Sequence, residues 1–255
     1  MRSALIGYTG FVGSNLSNQR SFDRLYNSRN FRELEGEVFD EIICAGVSAI
    51  KWQANKEPEK DKAKIKELSE VLKTVKTKRF FLISTIDVYP VIRDKDESFD
   101  CHTMNNHPYG THRLAFEDFC MNQFNNCYIF RLPGLFGKGL KKNVIYDLLN
   151  DNCLEMINPA SSFQYYYLKN LWADIQKVAQ TNVKLINLFT EPVATSTIID
   201  RFFPDKDIKP NPARAAEAHY SLHTSYAKLW GKDGQYIYSH NEMIEQLEEF
   251  IRNHK

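Results

Sequence analysis

Short apolar runs rich in β-branched and aromatic residues alternate along much of the chain with longer stretches whose apolar residues recur at helical spacing. The runs predict strands at Ser3–Ile6, Phe22–Tyr26, Glu41–Ala45, Arg79–Ser84, Cys127–Arg131 and Lys184–Phe189. The stretches between them predict helices at Gly13–Ser21, Pro58–Thr77, Gly110–Phe124, Asn143–Asn150, Leu168–Thr181 and Thr195–Phe203. Such alternation implies βαβ units and a mainly parallel sheet. The expected fold is therefore α/β, a Rossmann-like doubly wound parallel sheet.

Two departures shape that expectation. Between Asn27 and Glu41 only about a dozen residues remain, too few for the helix and strand of a usual crossover, so one sheet edge should be trimmed. Beyond Asn187 the alternation fades, and Pro192, Pro204, Pro210 and Pro212 punctuate shorter elements. A small interleaved substrate lobe is expected there. The boundaries are 1–140 for a dinucleotide-binding core, continued by roughly 160–190, with 141–159 and 191–255 forming the lobe and a C-terminal helix. Ser239-His240-Asn241-Glu242 has the capping-box pattern and opens that last helix, whose Met243, Ile244, Leu247, Phe250 and Ile251 should dock an apolar face.

Composition narrows the function classes. The 255 residues carry 33 basic against 32 acidic side chains, so no overall field points to nucleic acid or an anionic membrane. A small-molecule ligand is the better expectation. There is neither a signal-peptide pattern nor an apolar stretch approaching the roughly 20 residues of a membrane span, so a cytoplasmic location is expected. Cys44, Cys101, Cys120, Cys127 and Cys153 are scattered without metal-ligand spacing, which predicts reduced structural thiols and no metal site.

The chemistry begins at the first strand, which breaks into Gly7-Tyr8-Thr9-Gly10-Phe11-Val12-Gly13. Glycines at that spacing let the backbone bend and approach a pyrophosphate, while the following helix offers unpaired N–H groups and the positive end of its dipole. Gly7, Thr9, Gly10, Phe11, Val12 and Gly13 are thus expected around a dinucleotide. Further along, Arg79-Phe80-Phe81-Leu82-Ile83 ends in Ser84-Thr85-Ile86-Asp87-Val88-Tyr89, and Pro108-Tyr109-Gly110-Thr111-His112-Arg113 opens a helix. Ligands of open parallel sheets sit beyond the carboxyl ends of strands, which puts Thr85 at the active edge. Tyr109 and Arg113, four apart, share a helical face.

Together these segments resemble the extended short-chain dehydrogenase/reductases of the nucleotide-sugar epimerase, dehydratase and reductase branch. The likeness spans nearly the whole chain and includes the glycine turn, Ser84 to Tyr89 and Tyr109 at the head of a YxxxK-like helix. Arg131-Leu132-Pro133-Gly134-Leu135-Phe136-Gly137 is similar to the family's RPxxxYG stretch, and Phe163-Gln164-Tyr165-Tyr166-Tyr167-Leu168 to its segment leading into a late helix. The resemblance implies Tyr109 as acid or base, Thr85 as the hydroxyl that bonds the reacting oxygen, and a cation supporting tyrosine and ribose. That cation is lysine in the family and Arg113 here, a change that weighs more on alcohol oxidation than on reduction. It also implies cofactor contacts at Ala45, Gly46 and Pro133.

Cofactor choice is read after the second strand, where an acidic residue would bind the ribose of NAD. Asn27, Ser28 and Arg29 stand there instead, a hydroxyl and a guanidinium suited to a 2′-phosphate, so NADP is favoured over NAD. Family dehydratases carry Asp-Glu after the threonine; Ile86 and Asp87 occupy those places, and dehydration is disfavoured. Gly134 and Leu135 replace a family asparagine that touches substrate, while Lys138, Lys141 and Lys142 form a cluster that could meet a diphosphate but is more commonly explained as solvated. His112 is read as a surface residue, His102 and His107 as loop residues open to substrate contact, and Tyr165–Tyr167 as packing. The leading expectation is an NADP-dependent reductase of a keto group on a sugar or nucleotide-linked sugar. A nucleotide-sugar epimerase holding its cofactor tightly and a cofactor-binding protein without turnover are the alternatives. Relatives commonly dimerise through the tyrosine helix, for which Leu114, Phe116, Phe119 and Cys120 offer apolar surface or core.

Overall fold

A computed structural model describes residues 1–211 and 213–253, which divide into two compact units. The first comprises Met1–Pro90, Phe99–Leu132 and Lys169–Asn187. Its elements run β1 (Ser3–Ile6), α1 (Phe11–Gln19), β2 (Arg24–Tyr26), β3 (Val38–Cys44), α2 (Lys51–Lys56), α3 (Pro58–Leu72), β4 (Lys76–Thr85), α4 (Pro108–Gln123) and β5 (Cys127–Leu132). In the second unit β6 (Gly134–Phe136), α5 (Val144–Asn150), β7 (Ser162–Phe163) and β8 (Tyr165–Tyr167) follow. The chain then returns to the first unit for α6 (Leu171–Ala179) and β9 (Leu185–Asn187).

The first unit holds six parallel strands in the order β2-β1-β3-β4-β5-β9. This is the expected Rossmann-like sheet. Its edge is trimmed where the short gap requires: between β2 and β3 the chain makes only a 3-10 turn at Phe31–Leu34, leaving β2 outermost. Strands buried on both faces read as nearly continuous apolar runs. Ile42, Phe80, Leu82 and Ile129 accordingly pack with Phe116, Cys120 and Phe124 of the α4 region in one core, where the Phe80 and Phe124 rings stack at 4.1 Å. Leu114, Phe116 and Cys120 are all buried within the chain, which assigns them to its interior rather than to an outer face.

Several boundaries differ from the sequence expectation. The helix predicted to Thr77 stops at Leu72, because the β-branched run Thr74, Val75 and Thr77 suits a strand, and β4 begins at Lys76. Residues 168–170 form a 3-10 turn ahead of α6 rather than its first turn. The six-residue α2 was not predicted, since it is too short to show a period.

The second unit comprises Val91–Ser98, Pro133–Leu168 and Leu188–Lys255, of which Pro212, His254 and Lys255 lie outside the described residues. It adds β10 (Val193–Ala194), α7 (Thr195–Phe202) and α8 (His240–Arg252). Pairing is limited to β6 with β8 and β7 with β10. The capping box forms: Ser239 Oγ accepts from Glu242 N while the Glu242 carboxylate accepts from Ser239 N at 2.8 Å, a cap worth about 1 kcal/mol. The apolar face of α8 is buried, with Phe250 against Phe136 and Tyr167, which stack at 4.8 Å. The tyrosine run is β8 itself, fully packed. No helix among the described residues is long and apolar enough to cross a membrane.

Candidate active site

The glycine turn is built for close approach. Gly7 has φ +89°, and a Cβ there would lie 2.3 Å from the Ala45 carbonyl oxygen; one on Gly13 would lie 2.1 Å from that of Gly7. Only glycine lets β1, the start of α1 and Ala45-Gly46 meet in this way. Gly10 N donates to Gly7 O at 2.9 Å, and Gly10 caps α1 with no side-chain bond and no acidic residue in the first turn. The early amides of α1 and its dipole are thus available to an anion. Thr9 and Gly10 are exposed and Phe11 and Val12 half-buried around that helix start. Gly13→Ala should disrupt this turn and the seating of α1 on β1, read as a lowered thermal midpoint relative to wild type.

After β2, Asn27 forms a local turn: its Oδ1 accepts from Arg29 N at 2.8 Å and its N donates to Asn30 Oδ1 at 2.7 Å. Ser28 and Arg29 stand exposed on it. Since Tyr26 O accepts from Gly7 N at 2.7 Å, this turn and the glycine turn are neighbours. Pro133 lies in the second unit.

Thr85 ends β4, and its hydroxyl accepts from Asp87 N at 3.1 Å, capping a 3-10 turn. The start of α4 is brought against that turn by Gly110, where a Cβ would lie 2.2 Å from Asp87 O. Asn106 Nδ2 bridges Asp87 O and Val88 O at 2.9 and 3.1 Å, and Asn55 Oδ1 accepts from Tyr109 N at 3.0 Å. Tyr109 is thereby set beside Thr85 and is 6% exposed. Burial pushes its phenol above the ordinary tyrosine value, and the Asp87 and Asp61 charges add to that. Arg113 and the Thr85 hydroxyl act in the opposite sense and are outweighed.

Arg113, the cation expected to support tyrosine and ribose, is paired with a carboxylate. Its guanidinium is buried over the Tyr109 ring at 3.9 Å and forks onto Asp61 of α3, with one bond at 2.8 Å and a second from Nη1 to Oδ2. It also donates to Ser48 O at 2.6 Å and Tyr109 O at 3.3 Å. Its Nε alone is buried with no hydrogen-bond partner among the described residues. His112, expected at the surface, joins the same carboxylate through Nδ1 at 2.7 Å. Burial disfavours the Asp61 carboxylate, but hydrogen bonds and charge from Arg113 and His112 hold it below the usual range.

A second such cluster flanks Thr85. Lys51 Nζ lies 2.5 Å from Asp87 Oδ1, with His107 Nε2 at 3.8 Å from the same oxygen. His107 is the N-cap of α4: its Nδ1 accepts from Gly110 N at 3.0 Å, so only its Nε2 faces outward from the cap. Burial lowers its affinity for a proton, and Lys51 lowers it further. His102 pairs with Asp118 on the surface. Asp61 escaped the sequence reading because an acidic residue in the first turn of α3 serves the helix dipole equally well, and Lys51 because its six-residue helix shows no period. Among the described residues no cluster of His, Cys, Asp or Glu is placed to hold a metal. Four of the five thiols are buried, Cys153 excepted.

A parallel sheet with a glycine cradle after its first strand and a threonine–tyrosine pair at the end of its fourth defines a Rossmann-like α/β architecture. No protein-family model and no curated protein sequence matches the chain. Solved structures do match in fold. The dTDP-4-dehydrorhamnose reductase of Bacillus anthracis str. Ames, in complex with NADP, is 16% identical with TM-score 0.71, covering 99% of this chain and 98% of that one. UDP-glucuronic acid 4-epimerase of Bacillus cereus, in complex with a fluorinated UDP-sugar and NAD, is 16% identical with TM-score 0.72 over 100% of both chains. L-threonine 3-dehydrogenase of Trypanosoma brucei is 13% identical with TM-score 0.69, covering 99% of this chain and 96% of that one. The chain shares the fold of these proteins, a six-stranded parallel sheet with flanking helices of the expected α/β, Rossmann-like kind.

Proposed function

We propose that the chain is an NADP-dependent reductase of a keto group on a sugar or nucleotide-linked sugar. The observation that carries this is the setting of Tyr109: buried beside Thr85, with Arg113 paired to Asp61, its phenol holds its proton more tightly than an ordinary tyrosine, which suits a donor more than an acceptor. A reductase begins from that state. An epimerase must also take a proton in its oxidising half, for which a cation stabilising the phenolate would be needed. The two solved neighbours that act on sugar nucleotides support the substrate class.

The residues fit the cofactor. The glycine turn and the first amides of α1 would hold its diphosphate, Ser28 and Arg29 its 2′-phosphate, and the spare Nε of Arg113 a ribose hydroxyl. Bound NADPH would supply the hydride. Thr85 would orient the carbonyl and Tyr109 would protonate its oxygen. The second unit, from β6 to β8 and from β10 to α8, is proposed as the substrate lobe, and cytoplasmic residence as a homodimer belongs to the same reading.

Loss of absorbance at 340 nm on mixing with NADPH and a panel of keto sugars tests this. Clear NADPH binding with no turnover of any of them would favour a cofactor-binding protein instead. Arg29 is exposed and makes no ion pair among the described residues, so Arg29→Ala should raise the KM for NADPH about tenfold and leave that for NADH unchanged. Equal effects on both would move the 2′-phosphate site elsewhere.

A further inference from the structure

Tyr109 needs a way to recover the proton it gives up, and its burial closes the direct route from solvent. The Arg113 side of the tyrosine offers little, because that guanidinium is buried and held by Asp61. On the other side three polar groups stand in series. Thr85 Oγ1 lies beside the phenol and 3.4 Å from Asp87 Oδ2, and Asp87 Oδ1 lies 2.5 Å from the ammonium of Lys51. Lys51 is 40% exposed, the Asp87 side chain 21%. The two carboxylate oxygens therefore serve opposite ends, one toward the tyrosine and one toward solvent.

We infer that Asp87 is the proton relay of this site, passing a proton from Lys51 through Thr85 to Tyr109. The inference rests on Tyr109 being the proton donor. The steps balance. The phenolate left after substrate protonation takes the Thr85 hydroxyl proton; Thr85 takes one from the Asp87 carboxyl; Asp87 takes one from the Lys51 ammonium; and the lysine amine takes one from water. A half-turn of the Asp87 carboxyl carries its proton from the lysine side to the threonine side. One proton enters for each one given to substrate, and no charge remains behind. The groups facing the path are Lys51 from α2, Asp61 from α3, His107 from the α4 cap, and Tyr109 and Arg113 from α4. Of these, Lys51 is the charged donor in contact with Asp87, while His107 stands 3.8 Å away and has its proton affinity lowered. Asp87 is thus a positioning and relay residue rather than one that touches substrate.

The relay acts without cofactor or substrate, so it is tested without them. In protein labelled with 13Cζ-tyrosine, hydroxyl exchange at Tyr109 is read from the deuterium isotope shift, the signal being identified by its loss in Tyr109→Phe. Asp87→Asn is expected to slow that exchange at least about tenfold and Asp87→Glu to restore most of it. Lys51→Met, at a half-exposed position, should slow it too and covers the case in which Asp87→Asn does not fold. Exchange in Asp87→Asn or Lys51→Met at the wild-type rate overturns the relay, as does failure of a folded Asp87→Glu to restore it. Because no turnover is needed, these outcomes stand apart from the keto-sugar assay: exchange slowed in Asp87→Asn and Lys51→Met, with no reduction by the wild type, would refute the proposed function and keep the proton path.

Discussion

Replacing Tyr109 by phenylalanine should lower NADPH-dependent keto-sugar reduction by about two to four orders of magnitude while leaving NADPH affinity within about threefold of wild type. The ring packs over Arg113 and is 6% exposed, so phenylalanine keeps the shape and the cation–ring contact and removes only the hydroxyl. What is lost is the proton donor. Affinity should persist because the cradle at Gly7, Gly10 and Gly13 and the turn at Asn27–Arg29 are untouched. Single-turnover absorbance loss and a fluorescence titration with NADPH separate the two quantities. A folded Tyr109→Phe that reduces substrate at the wild-type rate would remove Tyr109 from the chemistry.

The same side chain sets the pH dependence. Reduction requires the phenol protonated, so the rate should hold as pH rises and fall only through a value above the ordinary 10.0 of tyrosine. Asp61 contributes to that elevation and also ties up Arg113. Neutralising it in Asp61→Asn would leave the guanidinium charge facing the phenol, stabilise the phenolate, and bring the fall in rate to lower pH. A fall displaced upward instead would mean that Arg113 does not act on Tyr109.

What could be read from sequence divides along the same line. The parallel sheet, the trimmed edge and the glycine turn were legible, because periodicity and glycine spacing are local properties of the chain. Tyr109 and Thr85 were legible as a pair through the resemblance. The partners that decide their chemistry were not: Asp61 comes from a different helix than Arg113, and Lys51 from a six-residue helix with no periodic signal. Arg113 lies on the tyrosine face as its spacing implied, but the carboxylate that holds it comes from another helix and only the fold reveals it. His112 was misjudged for that reason. One signal was present: Tyr109, Arg113 and Glu117 recur every fourth residue, a polar stripe along a helix whose other face is core.

Glu117 is the rung of that stripe on which stability should depend most. It is 2% exposed and accepts from Arg131 of β5, itself 4% exposed, at 3.1 and 3.2 Å from Nε and 2.6 Å from Nη2. Ser84, the residue before Thr85, donates its hydroxyl to the same carboxylate, while Arg131 stands over the Tyr89 ring at 5.0 Å. Glu117→Ala would leave a guanidinium buried without its counter-charge, and a loss of about 3–5 kcal/mol is expected from the shift of the urea midpoint of this unit. Burial disfavours the charge on Arg131, but the Glu117 charge and hydrogen bonds more than offset it, so loss of the carboxylate exposes the full penalty. Pairing the change with Arg131→Met, as Glu117→Leu/Arg131→Met, removes both charges and should recover most of that stability. It should not recover activity. The carboxylate joins the helix that carries Tyr109 to the strand end that carries Thr85, so an apolar substitute would keep the core packed and release the hydrogen bond that fixes Ser84. A double variant as active as wild type would show that the pair does not position Thr85 against Tyr109.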